Sequence, residues 1–230
     1  MVPSPCYKAE NRGSLLQKQF IQAVFPTMKK LFRNNGLSIV LALLFLIFWT
    51  FQAIAGWKVH NEDQVLHHLP VLRFFPDYLT SGHFWQATGE NWESEFLQMG
   101  AYVILTSFLF QKGSAESKDP DEPEAKPRKQ HSFLYRNSLS LAFAAFFLIA
   151  FVTHASGGLI EFNQERAENG LPAETMSQFL TDAEFWFQSF QNWQSEFLAV
   201  LSIVVLSIFL RQQGSPESKS VDDADSKTGS

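Results

Sequence analysis

Two short phrases carry the residues of this sequence that are best suited to chemistry. Residues 91–96 read NWESEF and residues 192–197 read NWQSEF, each directly ahead of an apolar run. Positions i, i+3, i+4 and i+7 share one face of a helix, so each phrase predicts a polar stripe. The predicted stripes are Asn91, Ser94, Glu95 and Gln98 in the first copy and Asn192, Ser195 and Glu196 in the second.

The stripes admit two interpretations. A polar stripe that enters an apolar span is costly in lipid and should turn towards other helices or a water-filled cavity. Glu95 and Glu196 could then approach each other and hold a proton or a cation. In the structural alternative, Asn91 and Asn192 cap helix N-termini and the glutamates gain from the helix dipole. The sequence leaves both interpretations open.

Four apolar segments are long enough to cross a bilayer. The 230 residues are 46% hydrophobic and 18% charged, and the charges lie between the apolar runs. A hydrocarbon core of about 30 Å needs about 20 apolar residues in a helix, so the second and fourth runs must include the NWESEF and NWQSEF phrases. A soluble bundle is the alternative, but uncharged runs of this length are rare outside membranes. The predicted spans are residues 37–57, 91–111, 138–157 and 192–211.

The two halves of the chain resemble each other in order along their length. Leu69-Pro70 corresponds to Leu171-Pro172, and QKGSAESK (111–118) corresponds to QQGSPESK (212–219). These pairs are offset by 102 and 101 positions, so one single-residue gap aligns the halves. Such matches indicate an internal repeat. Because each repeat holds two spans, the repeats should be parallel, related by an axis along the membrane normal.

The distribution of charge predicts the orientation. Lys and Arg are concentrated before the first span and between the second and third, whereas the other two loops contain only Lys58, Arg73 and Arg166. The positive-inside rule therefore places both termini and the middle linker in the cytoplasm. Five tryptophans fall near the predicted outer interface, where an aromatic belt is expected: Trp57, Trp85, Trp92, Trp186 and Trp193.

The predicted organisation has five parts. Residues 1–33 form a cytoplasmic segment with an amphipathic helix, in which Leu16, Phe20, Val24, Met28 and Leu31 recur at helical spacing. The remaining parts are repeat 1 (34–118), a disordered linker (119–132), repeat 2 (133–219) and a disordered tail (220–230). The linker and tail are rich in charge and in residues that disfavour packing.

The histidines of the first outer loop suggest a metal site only weakly. A zinc site needs a tetrahedral set of ligands, and the corresponding positions of the second half hold Phe162, Asn169, Gly170 and Glu184. No phosphate loop, dinucleotide fingerprint or Ser-His-Asp pattern is present. The single cysteine, Cys6, excludes an intrachain disulfide. The histidines concerned are His60, His67, His68 and His83.

Four phrases resemble a bacterial family of small membrane proteins classed as a domain of unknown function. They are NGLS (35–38), YLTSGHF (78–84), NWESEFLQM (91–99) and GSAESKDPDEP (113–123). The resemblance extends over nearly the whole chain from about residue 32. It implies a bacterial source and a location in the cytoplasmic membrane, and it transfers no catalytic residues.

The sequence therefore predicts an all-α protein, a four-helix transmembrane bundle of two parallel two-span repeats with short interfacial helices. The expected role is a non-enzymatic scaffold or partner subunit without cofactor or bound metal. The expected partners are the lipid bilayer and either a second copy or another membrane protein, with no nucleic acid. A proton or cation pathway through Glu95 and Glu196 is the alternative. A membrane metalloenzyme built on the outer-loop histidines is a weaker one.

The orientation can be tested by labelling a single cysteine with a membrane-impermeant reagent. We expect Asn163→Cys, in the predicted second outer loop of a chain whose native Cys6 is replaced by serine, to be labelled from the outside of intact cells. Labelling that occurs only from the cytoplasmic side would show that the orientation is inverted.

Overall fold

The computed structural model describes residues 5–122 and 131–229, with side chains from Lys30 onwards. Within these ranges the chain forms helices and no strand, which confirms the all-α prediction. The helices are α1 (Pro5–Leu66), α2 (Phe75–Tyr78), α3 (Gly82–Phe108), α4 (Phe133–Arg136), α5 (Ser138–Glu168), α6 (Met176–Phe179) and α7 (Ala183–Phe209).

The chain divides into two compact units, residues 1–58 and 59–230. The first unit is the body of α1, which is kinked at Asn35 (φ −132°, ψ 18°). The Asn35 side chain there donates a hydrogen bond to the Leu31 carbonyl at 3.2 Å. The backbone of the predicted amphipathic segment is helical, but the side chains that would form its apolar face, except Leu31, lie outside the described residues.

Three of the described helices are long and apolar enough to cross a membrane: Lys30–Leu66 of α1, Ser138–Glu168 and Ala183–Phe209. Many of their large apolar side chains are exposed, as expected of surfaces that face lipid. The predicted second span lies in α3, whose 27 residues extend about 40 Å. The first half of α3 is polar, so composition alone does not identify α3 as a membrane-spanning helix.

The helices that contain NWESEF and NWQSEF begin about nine residues before those phrases. Ser81 caps α3 by accepting a hydrogen bond from the Phe84 amide, and Asp182 caps α7 by accepting one from the Glu184 amide. Asn91 and Asn192 therefore lie inside their helices, where each side chain donates to a carbonyl four residues earlier. The expectation that they act as N-caps is wrong.

Helices α3 and α5 cross closely at glycines. A Cβ atom at Gly89 would lie 2.7 Å from the Cα of His154, and one at Gly157 would lie 2.9 Å from the carbonyl oxygen of Gly82. Real side chains do not tolerate such distances, so glycine at these positions is required for the two backbones to approach. Small residues serve the same purpose at many crossings of membrane helices.

An aromatic cluster packs α6 and α7 against α5. Its buried centre is Ala155, Phe179 and Phe185. The Phe185 ring meets the Phe179 ring at 5.4 Å and the Phe151 ring at 5.5 Å, both in edge-to-face arrangements. Rings in such arrangements attract each other beyond simple burial. This cluster fixes the first turns of α7 against α5.

Residues 211–229 form a compact clasp at the ends of α3 and α7. Hydrogen-bonded turns run through this segment, and Lys219 at its centre is 1% exposed. The Lys219 ammonium lies within 2.6–3.4 Å of five carbonyl oxygens, those of Gly113, Ile208, Ala224, Asp225 and Lys227. Residues 220–229, expected to be disordered, are thus ordered around a buried cation. Of the predicted disordered linker, residues 123–130 lie outside the described residues.

Replacing Lys219 should open the clasp. In Lys219→Met, the carbonyl oxygens lose their donor, and we expect the opening free energy of residues 219–229 to fall by about 1–3 kcal/mol. Hydrogen–deuterium exchange of the purified chain would measure this, with the exposed Lys112→Met as the control. Unchanged exchange in the Lys219 variant would show that the carbonyl contacts do not hold the clasp.

Candidate functional site

A glutamate and a histidine meet in the interior between α3, α5 and α7. The Oε2 atom of Glu93 lies 3.1 Å from Nδ1 of His154, and both side chains are 0% exposed. Glu93 comes from the middle of α3 and His154 from α5, at the point where Gly89 lets the two backbones approach. A charge-bearing pair without access to water is stable only if its remaining polar atoms are also satisfied.

Helix α7 supplies the partners of the other carboxylate oxygen. Oε1 of Glu93 accepts a hydrogen bond from the Ser189 hydroxyl at 2.7 Å and one from the Trp193 indole N–H at 3.2 Å. Every oxygen of this side chain is therefore occupied by a protein group, and three helices are tied to one residue.

The hydrogen bonds of Gln188 define where the protons of His154 lie. The Gln188 amide nitrogen donates to Glu184 at 3.1 Å, so its carbonyl oxygen is free to accept from Gln86 at 3.0 Å and from Nε2 of His154 at 3.2 Å. Nε2 of His154 must then carry a hydrogen. One further proton lies between Nδ1 of His154 and Oε2 of Glu93. The pair therefore carries the Nε2 hydrogen and one proton shared between the two side chains.

Apolar and aromatic groups surround the pair. The Phe185 ring stacks on the His154 imidazole with a centroid distance of 4.8 Å, and the Phe147 ring meets Trp193 at 6.3 Å. A second polar contact, from the Asn192 amide to the Glu90 carboxylate, joins α7 to α3 nearby. We call the set Gln86, Glu93, His154, Gln188, Ser189 and Trp193 the polar lock.

The structure places the predicted polar stripes only partly inside the protein. Ser94 is 2% exposed and Gln98 is 9% exposed, and the Gln98 amide reaches the backbone carbonyl of Glu196 at 3.5 Å. Asn91, Glu95 and Ser195 are exposed, whereas Asn192 and Glu196 are partly buried. Both serines donate to the carbonyl three residues earlier, at 2.8 Å in each copy.

Glu95 and Glu196 are close enough for their charges to repel each other. Neither, however, is among the fully buried side chains, and the fully buried carboxylate two positions before Glu95 is Glu93. The inward-facing acid on α3 is therefore Glu93, two positions before the Glu95 that the sequence analysis selected.

The predicted outer tryptophans have different roles. Trp193 points inward to Glu93, and the Trp186 indole donates to the Leu180 carbonyl at 2.9 Å. Their rings lie 6.3 Å apart in the same aromatic cluster. Trp85 is 37% exposed on the first turn of α3. Trp57 and Trp92 each take part in at least one polar or ring interaction.

Two of the four outer-loop histidines come together, and two do not. The rings of His60 and His83 lie 5.3 Å apart, whereas His67 and His68 are exposed. Burial raises the pKa of Tyr78 to about 12, so its phenol stays protonated and donates to Nδ1 of His83 at 2.8 Å. Within the described residues no group of three or more His, Cys, Asp or Glu side chains is arranged to hold a metal ion.

An acidic groove of about 480 Å³ lies beside this histidine pair. Asp63, Glu161, Glu165 and Glu168 contribute its carboxylates. Glu161 lies 3.8 Å from His60, and its Oε2 atom has no hydrogen-bond partner. The groove gives this end of the helices a negative surface, which favours cations over anions.

The polar lock was missed by reasoning from the sequence because its two ionisable residues differ from their counterparts in the other half. Glu93 corresponds to Gln194 and His154 to Gln52, so the repeat gave these positions no support. A usable signal was present nonetheless: an ionisable residue within an apolar run is costly unless it is paired. His154 is such a residue in the third span, and Glu93 is a candidate partner.

Breaking the lock at Glu93 should destabilise the protein strongly. In Glu93→Gln, the histidine loses its partner, and we expect a loss of about 3–5 kcal/mol of stability. Thermal denaturation in detergent would measure this against Glu95→Gln, an exposed change two positions along the same helix. Equal melting temperatures for the two variants would contradict the structural importance of the pair.

Comparison with known proteins assigns a family without an activity. Neither the curated proteins nor the solved structures contain a match to this chain. A family model described as a domain of unknown function (DUF6766) matches residues 28–230, which include every residue of the polar lock. The chain therefore belongs to the DUF6766 family.

Proposed function

We propose that this chain is a four-span membrane protein made of two parallel repeats. Helix α3, the second span in chain order, joins the three helices that are long and apolar enough to cross a membrane. The bounds of the helices support this proposal. Helices α3 and α7 both have 27 residues and begin at Gly82 and Ala183, 101 positions apart. α5 ends at Glu168 and α1 ends at Leu66, 102 positions apart. Both offsets are those of the sequence repeat.

Local hydrogen bonds support the repeat as well. The Asn61 side chain donates to the Leu72 carbonyl and accepts from the Leu72 amide. The Asn163 side chain makes the same two hydrogen bonds to Glu174, and all four distances are 2.7–3.0 Å. After α3 and after α7, a glycine with positive φ begins a turn, Gly113 at 85° and Gly214 at 81°. In both turns a serine accepts from a backbone amide six residues earlier at 2.8 Å.

The proposed location is a bacterial cytoplasmic membrane with both termini inside. The support is the concentration of Lys and Arg before the first span and in the middle linker. The acidic groove at the opposite end of the helices agrees with this orientation. The resemblance described above supports the bacterial source.

The proposed role is a non-enzymatic scaffold or partner subunit. The observation that carries it is the saturation of the polar lock: both Glu93 oxygens and both His154 nitrogens have protein partners. A site for a substrate or a permeating ion needs ligating atoms that are free to bind it, whereas each oxygen of Glu93 and each nitrogen of His154 is already partnered. What the helices do present is apolar surface, which suits lipid or the helices of another membrane protein.

A proton or cation pathway is the second candidate. The observation that favours it is the buried contact between Glu93 and His154, in the interior of helices that would cross the membrane. Ionisable residues at such positions often belong to proton relays. Glu95 and Glu196 remain the alternative carriers for this candidate, because their carboxylates interact with each other.

Flux through reconstituted protein tests the proposed role. For proteoliposomes that hold the full chain, we expect proton and monovalent-cation flux no greater than in empty liposomes. Flux above that level would contradict the proposed role as a scaffold or partner subunit. Its loss in Glu93→Gln would then identify the polar lock as the route. Its loss in the Glu95→Gln/Glu196→Gln double variant would identify the predicted stripes, with Glu122→Gln as the exposed control.

A further inference from the structure

An open groove runs between α3 and α7 in the half of these helices that leads to the clasp. It encloses about 350 Å³, within the range of about 300–1,000 Å³ that is typical of ligand pockets. Its walls are largely apolar, and Leu105, Phe197 and Leu201 are 44%, 39% and 57% exposed. If α3 and α7 both cross the membrane, this groove opens towards the acyl chains of the bilayer.

The groove ends at an incompletely satisfied carboxylate. Oε2 of Glu116 accepts a hydrogen bond from the Tyr102 hydroxyl at 2.8 Å, whereas Oε1 is buried and has no hydrogen-bond partner. Among the ion pairs of the described residues, none includes Glu116. Burial raises the pKa of Glu116, the hydrogen bond from Tyr102 lowers it, and the nearby Glu217 carboxylate raises it. A cation with a hydrogen to donate would offset the burial and the repulsion from Glu217.

We propose that this groove binds one phospholipid, with an acyl chain between α3 and α7 and a primary ammonium headgroup at Glu116. The apolar wall fits the chain, and the negative charge of Glu116 and Glu217 complements the headgroup. Because the lipid runs from the membrane interior to its surface, it matches a groove that is apolar along its length and acidic at one end. The inference rests on the proposed membrane span in α3.

The chemistry of the headgroup decides which lipid is preferred. The ammonium of phosphatidylethanolamine can donate a hydrogen bond to Oε1 of Glu116, with the added strength of a charge-assisted bond. The quaternary ammonium of phosphatidylcholine has the same charge and no donor. Phosphatidylglycerol has no cationic group, and its net negative charge would meet the carboxylates of Glu116 and Glu217. The order of affinity should therefore be phosphatidylethanolamine, phosphatidylcholine, phosphatidylglycerol.

Native mass spectrometry of the full chain tests the proposal. The detergent-solubilised protein is offered the three phospholipids at equal concentration and with identical acyl chains. We expect phosphatidylethanolamine to bind about tenfold more tightly than phosphatidylcholine, as expected for one hydrogen bond to a charged group. Glu116→Gln should abolish this preference, and the exposed Glu122→Gln should retain it. Equal binding of the three lipids would overturn the proposal, as would a preference that survives in Glu116→Gln.

A second variant separates loss of the site from loss of the fold. Val204→Trp fills the groove without touching the carboxylates, and it should weaken the binding of all three lipids. Unchanged binding in this variant would refute the groove as the lipid site. Cross-linking of Leu201→Cys between two chains in the membrane would also refute it, because a second copy would then occupy the groove.

Because the lipid site requires α3 to cross the membrane, that crossing is tested separately. Single cysteines at Arg73 and Glu122, on either side of α3, should be labelled from opposite sides of the membrane. Labelling of both cysteines from the same side would show that α3 does not cross the membrane, and it would refute the proposed topology as well as the lipid site. Labelling from opposite sides, combined with no lipid preference, would leave the topology intact and refute the lipid site alone.

Discussion

The structure of the second unit depends on placing an ionisable pair in an interior that excludes water. The cost of burying Glu93 and His154 is offset only if every polar atom of both side chains finds a partner. That requirement determines much of what surrounds them. Gly89 lets α5 come close enough to α3, Ser189 and Trp193 bring α7 to the carboxylate, and Gln188 holds the far side of the imidazole.

The pair also explains why neighbouring helices are held in one register. Apolar side chains in lipid do not favour one helix arrangement strongly, because lipid tails are as apolar as the side chains. Hydrogen bonds between helices have definite lengths and angles, so they select one arrangement. At the C-terminal ends of α3 and α7, Lys219 plays a comparable part by donating to carbonyls of Gly113, after α3, and Ile208, in α7. One cluster fixes the two helices within their N-terminal halves and the other fixes them at their C-terminal ends.

The two halves of the chain make unequal contributions to this arrangement. The corresponding helices share bounds and turns, but the lock takes Glu93 from α3 and Ser189 and Trp193 from α7. Gln194, the counterpart of Glu93, is exposed. If the halves arose by duplication, one copy acquired the buried carboxylate of Glu93 and the other acquired its donors, Ser189 and Trp193. A symmetric pair of glutamates would instead repel each other, as Glu95 and Glu196 do.

The sequence predicted the helices better than the site, for physical reasons. Hydrophobic length and charge distribution are properties of a segment, so they identify the helices that contain the predicted spans, although not the start of α3 at Gly82. The site depends on which face of each helix meets another. NWESEF places Glu93 and Glu95 two positions apart, on different faces, and the sequence does not say which face meets α5. The disordered tail was expected from composition, but burial of Lys219 depends on carbonyls that come from three separate segments.

A double-mutant cycle at Glu93 and His154 measures directly whether the two side chains stabilise the protein as a pair. Stability in detergent would be measured for the parent chain, Glu93→Gln, His154→Gln and the double variant. We expect a coupling energy of at least about 1 kcal/mol, since contacting residues of one network do not act independently. Single-variant losses that add to within about 0.5 kcal/mol would contradict it. The two side chains would then not depend on each other, and the polar lock would not be what holds α3, α5 and α7 together.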